Sequence, residues 1–236
     1  MKKSLNLVTG TILFITFQFN PFLSLGQTAK IFAPGVVSLE DRVEFGCTFS
    51  PDGKEFYFSI EKPGRRWIIM VTKQKENHWT QPQTASFSGK YDDLEVSISP
   101  IGKRLFFCSN RPLKENGEPK KDFDIWFVEK SGKGWGKPQH AGYNVNTDGY
   151  EWYPTASLSG TLYFCGGKTP GLYRSKLING KYTEPEKIGD LFTSDIIGGH
   201  PYIAPDESYI ITSAKEGPGN KGGWDLYISF QKPDGS

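Results

Sequence analysis

A short motif recurs along this chain, and its spacing constrains the fold more than any other feature. The first copy is Phe49-Ser50-Pro51-Asp52-Gly53-Lys54-Glu55-Phe56-Tyr57-Phe58. It reads as a strand end, a tight turn and a second strand. Proline presets φ at the first central position, and Asp-Gly supplies the tolerant backbone that closes a hairpin. The second copy runs from Ile98-Ser99-Pro100 to Phe107, and the third, without the proline, from Ala156-Ser157-Leu158 to Phe164. The fourth, Ile203-Ala204-Pro205-Asp206-Glu207 onward to Ile211, lacks the glycine. The second turn positions are 51, 100, 158 and 205, steps of 49, 58 and 47 residues. Self-similarity at this period, in strands bounded by turns, is the mark of a propeller built blade by blade.

Each copy continues in the same order. A third strand follows: Trp67–Val71, Asp124–Val128, Gly171–Arg174 and Asp225–Ile228. In three copies a polar turn and an aromatic-x-x-Pro signature come next: Trp79 to Pro82, Trp135 to Pro138 and Tyr182 to Pro185. Proline is tolerated on an edge strand, where no ladder hydrogen bond is lost. The predicted unit is therefore a four-stranded antiparallel blade. Its second strand (Phe56-Tyr57-Phe58, Leu105-Phe106-Phe107, Leu162-Tyr163-Phe164) is a continuous apolar run, as expected of a sheet covered on both faces. The fold class is an all-β propeller occupying 27–236, with repeats near 44–88, 93–143, 151–190 and 198–236.

The two ends of this array raise the question of closure. Residues 31–37 read as an orphan outer strand, because Pro34 lies 16 residues before Ser50 much as Pro82 lies 17 before Ser99. The last copy ends in a turn at Gln231–Ser236 with no aromatic-x-x-Pro strand. Either residues 31–37 close a four-bladed ring by pairing near Leu226–Ile228, or the four repeats are part of a larger ring; the expectation adopted is a larger, six-bladed type.

Residues 1–26 read as a cleaved signal peptide. Lys2 and Lys3 precede an apolar run from Leu5 to Leu25, and Ser24-Leu25-Gly26 offers small residues for cleavage before Gln27. The alternative, a membrane anchor, is weakened by Gln18, Asn20 and Pro21 within the run. No cysteine lies near the cleavage point to carry a lipid, and no later run is long enough for a helical span, so no membrane span is expected after cleavage. Of the three cysteines, Cys108 and Cys165 fall at equivalent places in neighbouring blades, about 10 Å apart and too far for a disulfide. A net charge of +2 with scattered Lys and Arg gives no electrostatic case for nucleic acid.

At Ser50-Pro51-Asp52-Gly53-Lys54, at Ser109-Asn110-Arg111 with Asp124-Ile125-Trp126, and at Gly199-His200-Pro201 through Asp206, the chain resembles the WD40-like repeats of TolB-type propellers. The resemblance covers nearly all of residues 31–236. It implies a periplasmic or secreted β-propeller that binds proteins or envelope components.

The residues offer little enzymatic chemistry. There is no nucleophile elbow, phosphate loop, His-Glu-x-x-His or Cys-x-x-Cys, and no cofactor or metal is expected. Asn144-Val145-Asn146-Thr147-Asp148-Gly149 resembles the start of a calcium loop, but its twelfth position is Thr155 where a bidentate carboxylate is required. One repeated pattern suggests a site. Six residues before the turn lie Glu44, Asp93 and Glu151, with Gly198 in the fourth copy; two positions on lie Gly46, Glu95, Tyr153 and His200. In a propeller this segment borders the central channel. The three acids either form an acidic rim for a cation or a basic partner, or only fix their own loops. Trp152 and Tyr153 are either a stacking surface for a sugar ring or inter-blade packing. The expectation is a non-catalytic exported propeller that binds a protein or envelope polymer, carbohydrate included, through the rim residues Glu44, Asp93, Glu95, Glu151, Trp152, Tyr153 and His200. The alternative is a metal-assisted polysaccharide lyase or glycoside hydrolase centred on His200.

Overall fold

The computed structural model describes residues 28–64, 66–167, 169–189, 198–215 and 219–232. The expected signal segment, residues 1–26, and the last four residues of the C-terminal turn lie outside them. From Phe32 onward the chain forms one compact unit. Among the described residues there is no helix, and hence none long and apolar enough to cross a membrane.

Four antiparallel sheets follow one another as the blades of a propeller. The innermost strands are Glu44–Phe49, Asp93–Ile98, Glu151–Ala156 and Gly198–Ile203, and each lies against the next. The second strands are Glu55–Lys62, Arg104–Ser109, Leu162–Gly166 and Tyr209–Lys215; the third are Arg66–Lys75, Asp124–Ser131, Leu172–Ser175 and Trp224–Phe230. In the first three blades a two-residue outer strand follows the proline signature: Gln83–Thr84, Gln139–His140 and Glu186–Lys187. The fourth blade has three strands among the described residues.

The recurring turn works as its composition requires. Ser50 O accepts from Gly53 N at 2.8 Å, and Ser99 O accepts from Gly102 N at 2.8 Å. Gly53 and Gly102 both sit at φ 69°, the left-handed region that glycine enters freely. In the fourth turn that position falls to Glu207, at φ 64°.

Side-chain alternation then divides each second strand between two seams. Tyr57 with Ile69 packs on Leu105, Phe107 and Val128, filling the seam between the first two blades. Phe106 with Ile125 points the other way, onto Ala156, Leu162 and Phe164 of the third blade. The signature aromatics seal these seams. Trp135 donates from Nε1 to Tyr57 Oη at 2.8 Å, and Tyr182 joins the second–third cluster. The third and fourth blades are also tied by a polar cluster. The Glu207 carboxylate accepts from Ser157, Ser159 and Tyr163 hydroxyls at 2.7, 2.6 and 2.8 Å.

Residues 32–38 depart from the expected outer strand. They form a turn-rich segment in which Ala33 O accepts from Val36 and Val37 N, with Ala33 and Gly35 both at positive φ. Pro34-Gly35 interrupts the extended backbone that pairing would need. The segment packs Val37 and Phe32 on Phe56, Phe58 and Ile68 of the first blade, rather than pairing near Leu226–Ile228. The cysteines are all free, and Cys108 is fully buried.

Candidate functional site

Every innermost strand carries a bulge at the same place. Pairing with the second strand shifts between Phe45 and Thr48, Leu94 and Ser97, Trp152 and Thr155, and Gly199 and Tyr202. Each shift sets two residues against one, and such a bulge bends the strand locally. Its first residue is Gly46, Glu95, Tyr153 or His200, with φ of 49°, 55°, 57° and 55°. Only glycine takes this conformation without cost; the other three store of order 1 kcal/mol each. These four residues line one central cavity of about 630 Å³, together with Cys47, Phe49 and Tyr202.

The side chains lean across the boundaries between blades. A Cβ on Gly46 would lie 2.7 Å from Glu95 Oε2, so the first blade's glycine makes room for the second blade's carboxylate. The Tyr153 ring reaches the fourth blade and meets His200, centroids 3.9 Å apart and 36° between planes. Burial pushes the Glu95 carboxyl up to about 7, and burial pulls the His200 imidazole below its ordinary value. Among the described residues, no Lys or Arg lines this cavity.

The other rim candidates sit elsewhere. Asp93 is fully buried; its carboxylate accepts from Arg111 Nη2 and Ser109 Oγ at 2.6 Å each and from Ser88 Oγ at 2.8 Å. Glu151 is also fully buried and accepts from Thr147 Oγ1 at 2.7 Å, while its Oε2 has no partner. Glu44 is paired with Arg42 at 2.7 Å within its own loop. The three acids therefore do not form one open rim: Asp93 and Glu151 are buried, and Glu44 is only half-buried and is tied to Arg42. Trp152 stacks on Phe123 at 5.0 Å and on Tyr150 at 5.7 Å, in a cluster with Leu94 and Cys108. The Asn144–Gly149 loop uses its own polar groups: Asn146 donates to Ile125 O and accepts from Ile125 N, as an edge strand would.

The cavity residues Cys47, Phe49 and Tyr202 are not in the sequence-derived set. Their signal is positional: they lie one and three residues after the bulge in the first blade and two after it in the fourth. The bulge itself has no composition cue once glycine is lost in three copies.

Neither protein-family models nor curated proteins give a match to this chain. Solved structures do. A protein assigned as TolB from Agrobacterium tumefaciens superposes with TM-score 0.53 at 17% identity, over 85% of this chain and 62% of that one. TolB from Acinetobacter baumannii gives 0.51 at 16%, over 80% and 41%. A puromycin-hydrolyzing peptidase from Mycobacterium tuberculosis gives 0.50 at 13%, over 80% and 29%. The chain thus spans less than two thirds of the length of each. At these identities the likeness is one of fold, and the fold is the β-propeller seen in TolB structures.

Proposed function

We propose that this chain is an exported, non-catalytic propeller that holds a group of a protein or envelope partner in its central cavity. The observation that carries the reading is the convergence of Glu95, Tyr153 and His200, all at strained φ, on one cavity. Backbone strain repeated at equivalent places, together with an acid whose proton affinity is raised by burial, is the kind of cost that folding alone does not explain. Export rests on Lys2, Lys3 and the apolar run that follows. A mature N-terminus near Gln27 in protein isolated from its host is the expected result; an intact Met1 in the membrane fraction would remove the export part.

The alternative, a polysaccharide enzyme centred on His200, needs a base and a positive group to stabilise a developing anion. His200 is in the cavity, but the charged side chain that shares its wall among the described residues is a carboxylate. That favours binding of a group that is not anionic. Cys47 gives the test, being an exposed thiol on the cavity wall. A short thiol-directed photocrosslinker at Cys47 is expected to capture an envelope partner in wild type and to lose it in a Tyr153→Ala/His200→Ala variant. Capture indifferent to both substitutions would take the cavity out of the reading. Oligosaccharide cleavage that disappears in His200→Ala would establish the alternative.

A further inference from the structure

Among the described residues, the central cavity has one charged side chain on its wall, and that side chain has no partner. Glu95 is 9% exposed, yet only its backbone is engaged, N–H donating to Ser59 Oγ at 3.2 Å. The other buried acids differ: Asp93 has Arg111, Asp124 has Lys120 at 2.6 Å, and Glu151 has Thr147. An unpaired buried carboxylate is costly, and a fold normally neutralises it with a cation or spends hydrogen bonds on it. The missing side chain of Gly46 gives the carboxylate the room it occupies on the cavity wall, and no described residue supplies it a cation there.

The rest of the wall is aromatic. Tyr153 and His200 present touching rings, and Phe49 and Tyr202 are half exposed on the same cavity. A desolvated carboxylate beside aromatic faces, with no competing Lys or Arg, suits an organic ammonium. The carboxylate accepts a charge-assisted hydrogen bond, and the rings attract the cation through their faces. A metal ion asks for a different set, several oxygen, nitrogen or sulfur ligands around one point. Among the described residues no group of three or more His, Cys, Asp or Glu could supply it.

We propose that the central cavity receives an alkylammonium group, seated between the Glu95 carboxylate and the Tyr153 and His200 rings. This rests on the reading of the cavity as the binding site and names the chemistry it selects. The group is either the side chain of a partner's lysine or a free aliphatic amine. The cavity, at about 630 Å³, is large enough to take the alkyl stem and its attachment as well as the ammonium.

The test titrates the full chain with three probes: Nα-acetyl-lysine N-methylamide, n-butylamine, and the uncharged Nα-acetyl-norleucine N-methylamide. Binding is followed by calorimetry at pH 8, with the His200 imidazole resonances reporting the place. The lysine probe is expected to bind at least tenfold more tightly than the norleucine probe and to shift the His200 signals. Glu95→Gln should lose at least tenfold for the amines and nothing for norleucine. Affinity should rise between pH 6 and pH 8 as Glu95 ionises. A lysine probe well ahead of n-butylamine supports a protein-borne lysine; parity supports a free amine. Norleucine binding as tightly as lysine, with Glu95→Gln unchanged, overturns the ammonium assignment but leaves the cavity as a site. If no probe moves His200, the assignment also falls, and crosslinking from Cys47 decides separately whether the cavity binds a partner.

Discussion

The second and fourth blades have the same strand order and the same bulge, but opposite surroundings. In the second blade Leu105, Phe106 and Phe107 are all buried, because a neighbouring sheet covers each face. In the fourth, one face carries Trp224, Leu226, Ile228 and Phe230 at 54, 78, 52 and 67% exposure. On the other face Thr212 and Ala214 are buried. The difference shows that burial of a repeat comes from its neighbours, not from its own strands. It also appears in the sequences. Ile125-Trp126-Phe127-Val128 is apolar throughout, whereas Trp224 to Phe230 alternates apolar with polar. An alternating strand has one face to bury.

The largest expected effect is in the second blade. Phe107→Ala should cost about 3–5 kcal/mol, as a fully buried ring is replaced by a cavity that rigid sheets cannot collapse. Arg111→Met should cost a similar amount, about 3–5 kcal/mol, by leaving the Asp93 carboxylate buried without its cation. A urea titration giving less than about 1 kcal/mol for Phe107→Ala would break the contrast between the blades.

Next in size is Glu95, where the sign reverses. Its folded proton affinity is raised, so its contribution is most favourable below the unfolded value of 4.5 and is lost as pH rises through about 7. Glu95→Gln should therefore stabilise the chain by up to about 3 kcal/mol at pH 8 and by almost nothing at pH 4. Melting curves at the two pH values check this; equal gains at both would mean that charge burial is not the cause. A substitution that raises stability while removing amine binding would show the trade of stability for function expected at a site.

The fourth blade's attachment gives a smaller effect. Burial pushes the Glu207 carboxyl up, but hydrogen bonds from Ser159, Ser157 and Tyr163 outweigh it and hold it below the usual carboxylate range. Its contribution is present above the unfolded value and lost as pH falls through the depressed one. Glu207→Gln should cost about 1–2 kcal/mol at pH 7, discounted for a partly solvated group, and little at pH 3. Hydrogen exchange should place that loss in Tyr209–Lys215 and Trp224–Phe230, with the second blade unaffected.

The fold was legible in the sequence because turns and apolar runs are local. Ser50-Pro51-Asp52-Gly53 needs only itself to bend, and Leu105-Phe106-Phe107 declares two-sided burial by composition. The site was half legible. The offset of Gly46, Glu95, Tyr153 and His200 from the turns marked one equivalent position. The six-residue offset of Glu44, Asp93 and Glu151 was just as regular, but it marks strand starts where each acid is held by its own surroundings, buried for Asp93 and Glu151 and paired with Arg42 for Glu44. Two positions along a strand do not ordinarily change the face; the bulge that begins at the second of them does, and its left-handed residue is recognisable only as glycine. The outer strand expected at 31–37 failed for a related reason: Pro34 sits where a strand's proline would, but Pro34-Gly35 bends the chain onto the first blade.

The smallest expected effect tests the exposed face of the fourth blade directly. Tyr209, Ile211, Leu226, Ile228 and Phe230 share one side of the sheet, since Ile211 pairs with Ile228 and Tyr209 with Phe230. No described residue covers that side, so Leu226 loses almost no burial when changed. Leu226→Ser should alter unfolding free energy by less than about 0.5 kcal/mol, against several for Phe107→Ala at the same protein concentration. An apolar patch of this kind also favours association, so Leu226→Lys with Ile228→Lys should improve solubility more than it changes stability. Sedimentation at rising concentration separates the two readings of the face. If Leu226→Ser costs more than about 1 kcal/mol, and the cost grows with concentration, the face is covered by another copy in solution. The fourth blade would then be buried on both sides like the second, by a neighbour from outside the chain.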